Sequence, residues 1–291
     1  MRFRTLTTMT LFAVLALSVP LATQTPPRLT FTFVTYNVPG AAQTALGGIN
    51  NAGVIAGTYV DKSQHTHCFT LKGTAVTTID DPKGTDSSCG SINIHGAVVG
   101  TYWDATSVDV GFLYQNGKFT DLVEPQGAFG TDANGINDNG DIVGSYLVDV
   151  GDVHGFLLRK GKYTTIDVPR SLGTIPLGIN NKGNVIAVYI STKGSASALR
   201  SGNTYKDISP PGSQQSEPLG INNLGDVNFA SFVSSTKAHG SLLHGGTYYT
   251  FNYPKAADTY GEGLNDKGMM VGTYWVKNLN GPSSGYVAAY H

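Results

Sequence analysis

The side chains best suited to chemistry in this sequence are acidic groups that interrupt an otherwise regular pattern. Asp86, Asp132, Glu217, Asp258 and Glu262, with Tyr260 among them, flank a hydroxyl that recurs as Thr44, Ser87, Thr131, Thr174, Ser216 and Thr259. Hydroxyls and carboxylates gathered at one opening can hydrogen-bond a glycan or a peptide. Two carboxylates within about 9.5 Å can also run acid–base cleavage of a glycosidic bond. Asp86, Asp132, Glu217, Asp258, Tyr260, Glu262, Thr131 and Thr259 are therefore the ligand-binding candidates, and no residue is assigned a catalytic role. A recurring hydroxyl has a second use, tying down the loop before it through a bond to backbone. Recurrence in every copy favours that use, so the carboxylates, which differ between copies, carry the specificity.

Other reactive types are read as architecture. His67, His154 and His239 fall in alternate copies of the pattern on its third strand, roughly 10 Å outward from the innermost strand at about 4.8 Å per strand. They lie too far apart for metal–nitrogen bonds of about 2 Å, and no metal or other cofactor is expected. Asp138-Asn139-Gly140-Asp141 looks superficially like a calcium loop, but no Glu follows at the distance a bidentate ligand needs. Trp103 and Trp275 align with Val60, Leu147, Ile190 and Val233, an apolar column expected in the core between sheets. Tyr59, Tyr102, Tyr146, Tyr189, Phe232 and Tyr274 form a second packing column. Cys68 and Cys89 are candidates for a disulfide closing a loop of about 20 residues, which would contribute roughly 3 kcal/mol. There is no nucleophile elbow, zinc motif, phosphate loop or dinucleotide fingerprint.

What positions these groups is a repeat. Gly48-Ile49-Asn50-Asn51-Ala52-Gly53 recurs from Ser91, Gly135, Gly178, Gly220 and Gly263, at steps of 43, 44, 43, 42 and 43 residues. Each copy continues into a β-branched stretch such as Asp141-Ile142-Val143-Gly144-Ser145-Tyr146. A third stretch follows, such as His154-Gly155-Phe156-Leu157-Leu158, and then a fourth such as Tyr163-Thr164-Thr165-Ile166-Asp167-Val168-Pro169. Four short strands in 40-odd residues is the period of a propeller blade. Asn-x-x-Gly suits the tight turn between the first two strands, with Gly at positive φ and the Asn side chain capping its own turn.

Residues 31–39 match the fourth strand of the unit with no first three strands before them, while the sixth copy stops after its third strand. Joining the two fragments removes an exposed sheet edge. The expected fold is all-β, a six-bladed β-propeller of four-stranded blades whose last blade is closed by the N-terminal strand. The first-to-second and third-to-fourth connections read as tight turns, the other two as long loops on one face. Recognition is usually placed on such loops.

At the N-terminus, Arg2 and Arg4 precede the apolar run Leu11-Phe12-Ala13-Val14-Leu15-Ala16-Leu17, the layout of a secretory signal peptide. The expected division is 1–23 signal peptide, 24–30 linker and 31–291 a single propeller domain, secreted to the exterior or periplasm. No segment approaches the ~20 apolar residues of a membrane span. Removing the two arginines leaves a net charge of about −3, with no clustered basic surface to attract nucleic acid.

The combination Gly-Ile-Asn-x-x-Gly-x-Ile-Val-Gly-x-Tyr, then His-Gly-Phe-Leu, then Thr-Thr-Ile-Asp-x-Pro resembles the extracellular repeat known as the HAF family. The resemblance covers residues 31–291 and is best from Gly135 to Pro169. The fourth and fifth copies depart from it at Val188, Phe229 and Ser241. It implies export and repetition, with no settled activity. Together these features favour a non-enzymatic binding or surface-interaction module for a glycan or an extracellular protein. An enzyme acting on a polysaccharide or lactone through carboxylates at the channel mouth is the alternative, and a structural envelope or matrix protein a third.

Overall fold

A computed structural model describes residues 28–106, 108–123, 129–279 and 281–291. The expected signal peptide and most of the linker lie outside the described residues. Every regular element described is a strand, 24 in all, and no helix among the described residues is long and apolar enough to cross a membrane.

β1 (Phe31–Tyr36) precedes the first full repeat, which folds as β2 (Gln43–Ile49), β3 (Ile55–Val60), β4 (Thr66–Lys72) and β5 (Ala75–Thr78). The second repeat supplies β6 (Asp86–Ile92), β7 (Val98–Trp103), β8 (Asp109–Gln115) and β9 (Lys118–Leu122). The third supplies β10 (Thr131–Ile136), β11 (Ile142–Asp149), β12 (Asp152–Arg159) and β13 (Lys162–Thr165). The fourth gives β14 (Gly173–Ile179), β15 (Val185–Ser191), β16 (Gly194–Ser201) and β17 (Thr204–Asp207). The fifth gives β18 (Gln215–Ile221), β19 (Val227–Ser234), β20 (Lys237–His244) and β21 (Thr247–Phe251). The last three strands are β22 (Asp258–Leu264), β23 (Met269–Trp275) and β24 (Ser283–Tyr290).

Within every repeat the strands pair antiparallel with their sequence neighbours, and the sheets assemble as an all-β propeller. Repeats 1, 4 and 5 each form a four-stranded sheet, and β1 completes a fourth by pairing with β24 from Phe31 opposite Tyr290 to Tyr36 opposite Gly285. Repeats 2 and 3 share one eight-stranded sheet, joined by a single parallel contact between Val110 and Thr131.

The first hairpin of each repeat follows from its sequence. Gly53, Gly96, Gly140, Gly183, Gly225 and Gly268 have φ between 73° and 95°, a region a Cβ disfavours. The Asn three residues earlier accepts bonds from its own turn; Asn50 Oδ1, for example, takes the amides of Ala52 and Val54, each at 3.0 Å. The loop asymmetry expected from the sequence is corrected in part. The second-to-third connections of repeats 3, 4 and 5 are two-residue turns between Asp149 and Asp152, Ser191 and Gly194, and Ser234 and Lys237.

The core lies between sheets. Phe69, Phe112 and Phe156 on the third strands are fully buried, each ring lying against a second-strand glycine, Gly57, Gly100 and Gly144. Repeat 5 inverts the arrangement, with Phe229 on its second strand opposite Ser241 on its third. The inversion corrects two columns expected from sequence. Pairing sets Ser231, not Phe232, opposite Ser216 in the tyrosine column, and sets Phe232, not Val233, opposite Gln215 in the column of the two tryptophans.

Candidate functional site: the axial channel

The six first strands surround the axis and end one residue before the recurring asparagine. Each Asn Nδ2 donates to the backbone carbonyl of the next Asn, from Asn50 through Asn93, Asn137, Asn180 and Asn222 to Asn265, which returns to Asn50 at 2.8 to 3.2 Å. A second ring sits on the following residues. Amides of Ile94, Asp138, Asn181, Asn223 and Asp266 donate to side-chain oxygens of Asp138, Asn181, Asn223, Asp266 and Asn51 at 2.7 to 2.9 Å. Ile94 interrupts it, since its side chain offers Asn51 no acceptor. The Asp138 turn that looked like a calcium loop is thus committed to structure, and Asp141 is paired with Arg159 Nη2 at 2.7 Å.

Between the rings and the opposite mouth the strands nearly touch. A Cβ on Gly263 would lie 2.7 Å from the Gly48 Cα, and one on Gly135 2.9 Å from the Gly178 Cα. Only glycine allows this approach. What remains is a cavity of about 90 Å³ lined by Gly47, Gly90, Asn134, Leu177 and Leu219 among others. Those five occupy one column of the inner strands, and Glu262 is its sixth member. Two residues earlier on the same strand face stand Ala45, Ser88, Asp132, Ile175, Glu217 and Tyr260. Members of both columns keep part of their surface exposed while the hydroxyls beside them are buried, so the axial opening is what they face.

The candidates from sequence therefore divide. Asp132, Glu217, Tyr260 and Glu262 line the channel. Thr259 is 0 % exposed and accepts the Tyr253 amide at 3.0 Å, and Thr131 is 2 % exposed, which corrects their reading as ligand contacts. Thr44, Ser87 and Thr174 likewise accept amides of the loops before them at 2.9 to 3.1 Å. Asp86 and Asp258 are corrected too. Each accepts a backbone amide at the start of the preceding sheet's third strand, from Thr66 at 2.5 Å and Ala238 at 2.9 Å.

Electrostatics in the channel are set by enclosure. Burial pushes the Glu262 carboxyl up to about 7, opposed by a bond from the Thr273 hydroxyl at 3.1 Å and reinforced by the Glu217 charge. Glu262 is enclosed by protein yet open to the narrow channel, so confined solvent, not bulk water, faces it. Burial also raises Glu217. Asp132 is raised by burial and the Asp109 charge against hydrogen bonds from Thr101 and Ser145. The Tyr260 phenol is raised by burial and by the charges of Glu217, Glu262 and Asp258.

Beside these acids and Tyr260 stand two aromatic rings that sequence reasoning set aside. Trp275 meets Tyr260 edge-on with centroids 4.8 Å apart, and Phe232 also meets Tyr260 edge-on at 5.7 Å. Trp275 is partly exposed and packs on Tyr260, which itself meets Phe232 of the preceding sheet, so the ring stands in the layer between the fifth-repeat and sixth-repeat sheets beside the channel. A fixed offset from the recurring Asn would have placed Phe232 correctly: Tyr59, Tyr102, Tyr146, Tyr189 and Tyr274 each stand nine residues on, and so does Ser231.

The histidines each bond a side chain thirteen residues on, His67 to Asp80, His154 to Asp167 and His239 to Asn252, all at 2.7 Å. Among the described residues no group of three or more His, Cys, Asp or Glu is placed to hold a metal ion. Cys68 and Cys89 form a disulfide joining β4 to β6 across two repeats, with Cα atoms 5.0 Å apart.

No protein-family model and no curated protein sequence matches the chain. Solved structures do resemble it. A putative TolB from Agrobacterium tumefaciens has a TM-score of 0.61 at 10% identity, with 91% of this chain and 98% of that one covered. SapL1 lectin in complex with α-methyl fucoside gives 0.56 at 10%, covering 85% and 95%. A mutant Aleuria aurantia lectin in complex with Fucα1-6GlcNAc gives 0.51 at 10%, covering 80% and 88%. At such identities the likeness establishes the propeller fold alone.

Proposed function

We propose that this chain is an exported six-bladed propeller of HAF-type repeats that works as a binding module, taking a glycan at the axial mouth beside repeats 5 and 6. The blade count rests on the six asparagines whose bonds run once around the axis, and on the single bridge that joins the sheets of repeats 2 and 3. The observation that carries the function is convergence. Residues that depart from the repeat at Glu217, Phe232, Tyr260 and Glu262 stand with Trp275 in one sector, where a regular fold would be indifferent to position. Tyr260 and Trp275 offer the apolar face of a sugar a ring to lie against, and Glu217 and Glu262 offer acceptors for its hydroxyls. The recognition of fucosides by two propellers of similar fold supports a glycan over a protein ligand.

A glycan array probed with the full chain tests this. Binding to a glycan class is expected, with Tyr260→Ala, Trp275→Ala and Glu217→Gln each weakening it about tenfold or more, equivalent to at least ~1.4 kcal/mol. An array without a bound glycan, or variants that bind as the parent does, would defeat the reading.

One observation favours a second reading. The Glu262 carboxyl, pushed up to about 7, feels the charge of Glu217, itself raised by burial, and a pair of carboxyls at one mouth is the equipment of glycosidic acid–base chemistry. Release of new reducing ends from a bound polysaccharide, abolished by Glu262→Gln, would make the module an enzyme.

A further inference from the structure

The seam between the sixth-repeat sheet and the first differs from its counterparts. At four of the other seams the residue opening the inner strand closes the gap to the preceding sheet's third strand. Asp86 and Asp258 do so as straps to backbone amides. Gly130 and Gly173 do so by approach: a Cβ there would lie 3.4 Å from the Asp109 carbonyl oxygen and 2.6 Å from Val153 Cγ1. At the remaining one Gln215 stands over the tight Ser191–Gly194 turn, its Nε2 3.9 Å from where a Gly194 Cβ would lie. At the sixth seam this position is Gln43, which accepts from the Ser283 hydroxyl at 3.5 Å, a hydroxyl that also reaches the Thr44 carbonyl at 3.4 Å. The neighbouring β23–β24 connection is long, whereas repeats 3 to 5 turn in two residues. A missing strap beside a long loop leaves a cavity of about 320 Å³, the scale of a small-molecule site.

Its walls are apolar at Ala41, Ala42, Val276 and Pro282, and polar at Asn37, Gln43, Ser283 and Ser284. Among the described residues of the lining Lys277 is the one charged side chain, and no carboxylate stands with it. Val276 is 65 % exposed, an apolar side chain left uncovered at the rim. The chemistry is the reverse of the axial channel, where carboxylates gather. An apolar wall suits the C–H face of a pyranose, amides and hydroxyls suit its hydroxyls, and a single ammonium suits one carboxylate.

We propose that this seam pocket is a second binding site, independent of the axial mouth, and that it takes an acidic sugar of the hexuronate class. The test is titration of the full chain with sodium D-glucuronate and with D-glucose, followed by ligand-observed NMR. Glucuronate binds at least about tenfold more tightly than glucose. Lys277→Gln lowers glucuronate to the level of glucose. Ala42→Trp, which places a large ring in the cavity from an exposed position, removes both. Thermal midpoints of the two variants stay at the parent value, since neither residue is buried.

Absence of glucuronate binding at tens of millimolar overturns the proposal. So does equal binding of glucose, or glucuronate binding unchanged in Lys277→Gln. If Ala42→Trp fails to fold, Lys277→Gln alone decides. Failure here leaves the axial reading standing, because Glu217, Tyr260 and Trp275, whose variants the glycan array tests, are not among the residues that line this pocket.

Discussion

Repeats 3 and 5 solve one packing problem in opposite ways. In repeat 3 the Phe156 ring on the third strand fills the space over Gly144 on the second; in repeat 5 the ring belongs to Phe229 on the second strand and its partner is Ser241. The inter-sheet layer needs one aromatic volume at this level and accepts it from either strand. The exchange has a consequence at the axis. The tyrosine column gives way to Ser231, and the next residue, Phe232, faces Tyr260 in the neighbouring repeat. Inversion of a core pair thus accompanies the aromatic cluster that distinguishes one sector of the channel.

The comparison can be broken by moving the ring. Phe156→Ala and Phe229→Ala should each cost ~3–5 kcal/mol although they lie on different strands, as measured by chemical denaturation. Ser241→Phe alone should cost ~1–3 kcal/mol through overpacking, and adding Phe229→Gly should cancel most of that loss. A double variant no more stable than Ser241→Phe would show that repeat 5 is specialised beyond its aromatic count.

The acidic sector can be separated from the histidine sites of repeats 1 and 3 by pH. Glu262 binds its proton more tightly in the folded chain than at its ordinary value of 4.5, so stability falls as pH rises from 4.5 to about 7. Glu262→Gln should flatten that part of a plot of thermal midpoint against pH. His67 should act at higher pH. Burial pulls its imidazole down, but the bond and charge of Asp80 and the contact with Asp61 outweigh this and leave it raised. His154 is raised chiefly by its bond to Asp167. The stability these two contribute is present below their ordinary value of 6.5 and is lost as pH passes their folded values. A Glu262→Gln profile parallel to the parent's below pH 7 would remove the carboxyl from this account.

The smallest effect concerns the one interruption of the second polar ring. Ile94→Asn should supply the acceptor that Asn51 lacks and raise stability by ~0.5–1.5 kcal/mol. No gain, or a loss, would mean that Ile94 packs in a way an amide cannot replace.

Much of this architecture was legible in the residues. Asn-x-x-Gly encodes a turn locally, because the cap and the positive φ depend on residues within it. The strand at Phe31–Tyr36 announced its partner through the fragment missing from the sixth repeat. The channel acids at Asp132, Glu217 and Glu262 stood out because they broke a regular column. What escaped depended on contacts between repeats. Asp86 and Asp258 looked like free acids until their amide partners, 20 positions away, were placed beside them. Phe232 was misassigned because aromatic was matched with aromatic, whereas hydrogen-bond register follows position from the turn. The ring of asparagine amides was invisible for the same reason, since each donor finds its acceptor in the next repeat.

The pairing of β1 with β24 carries a consequence for biosynthesis. Thr30 donates to the carbonyl of His291 across 261 positions of sequence, so β1 emerges from the ribosome long before the strand it pairs with. Until then its edge and that of the sixth-repeat sheet lack each other, and a long-range contact of this kind is slow to form. During this interval a neighbouring chain can supply the missing strand, making exchange of β1 between two nascent molecules the characteristic misassembly of this ring.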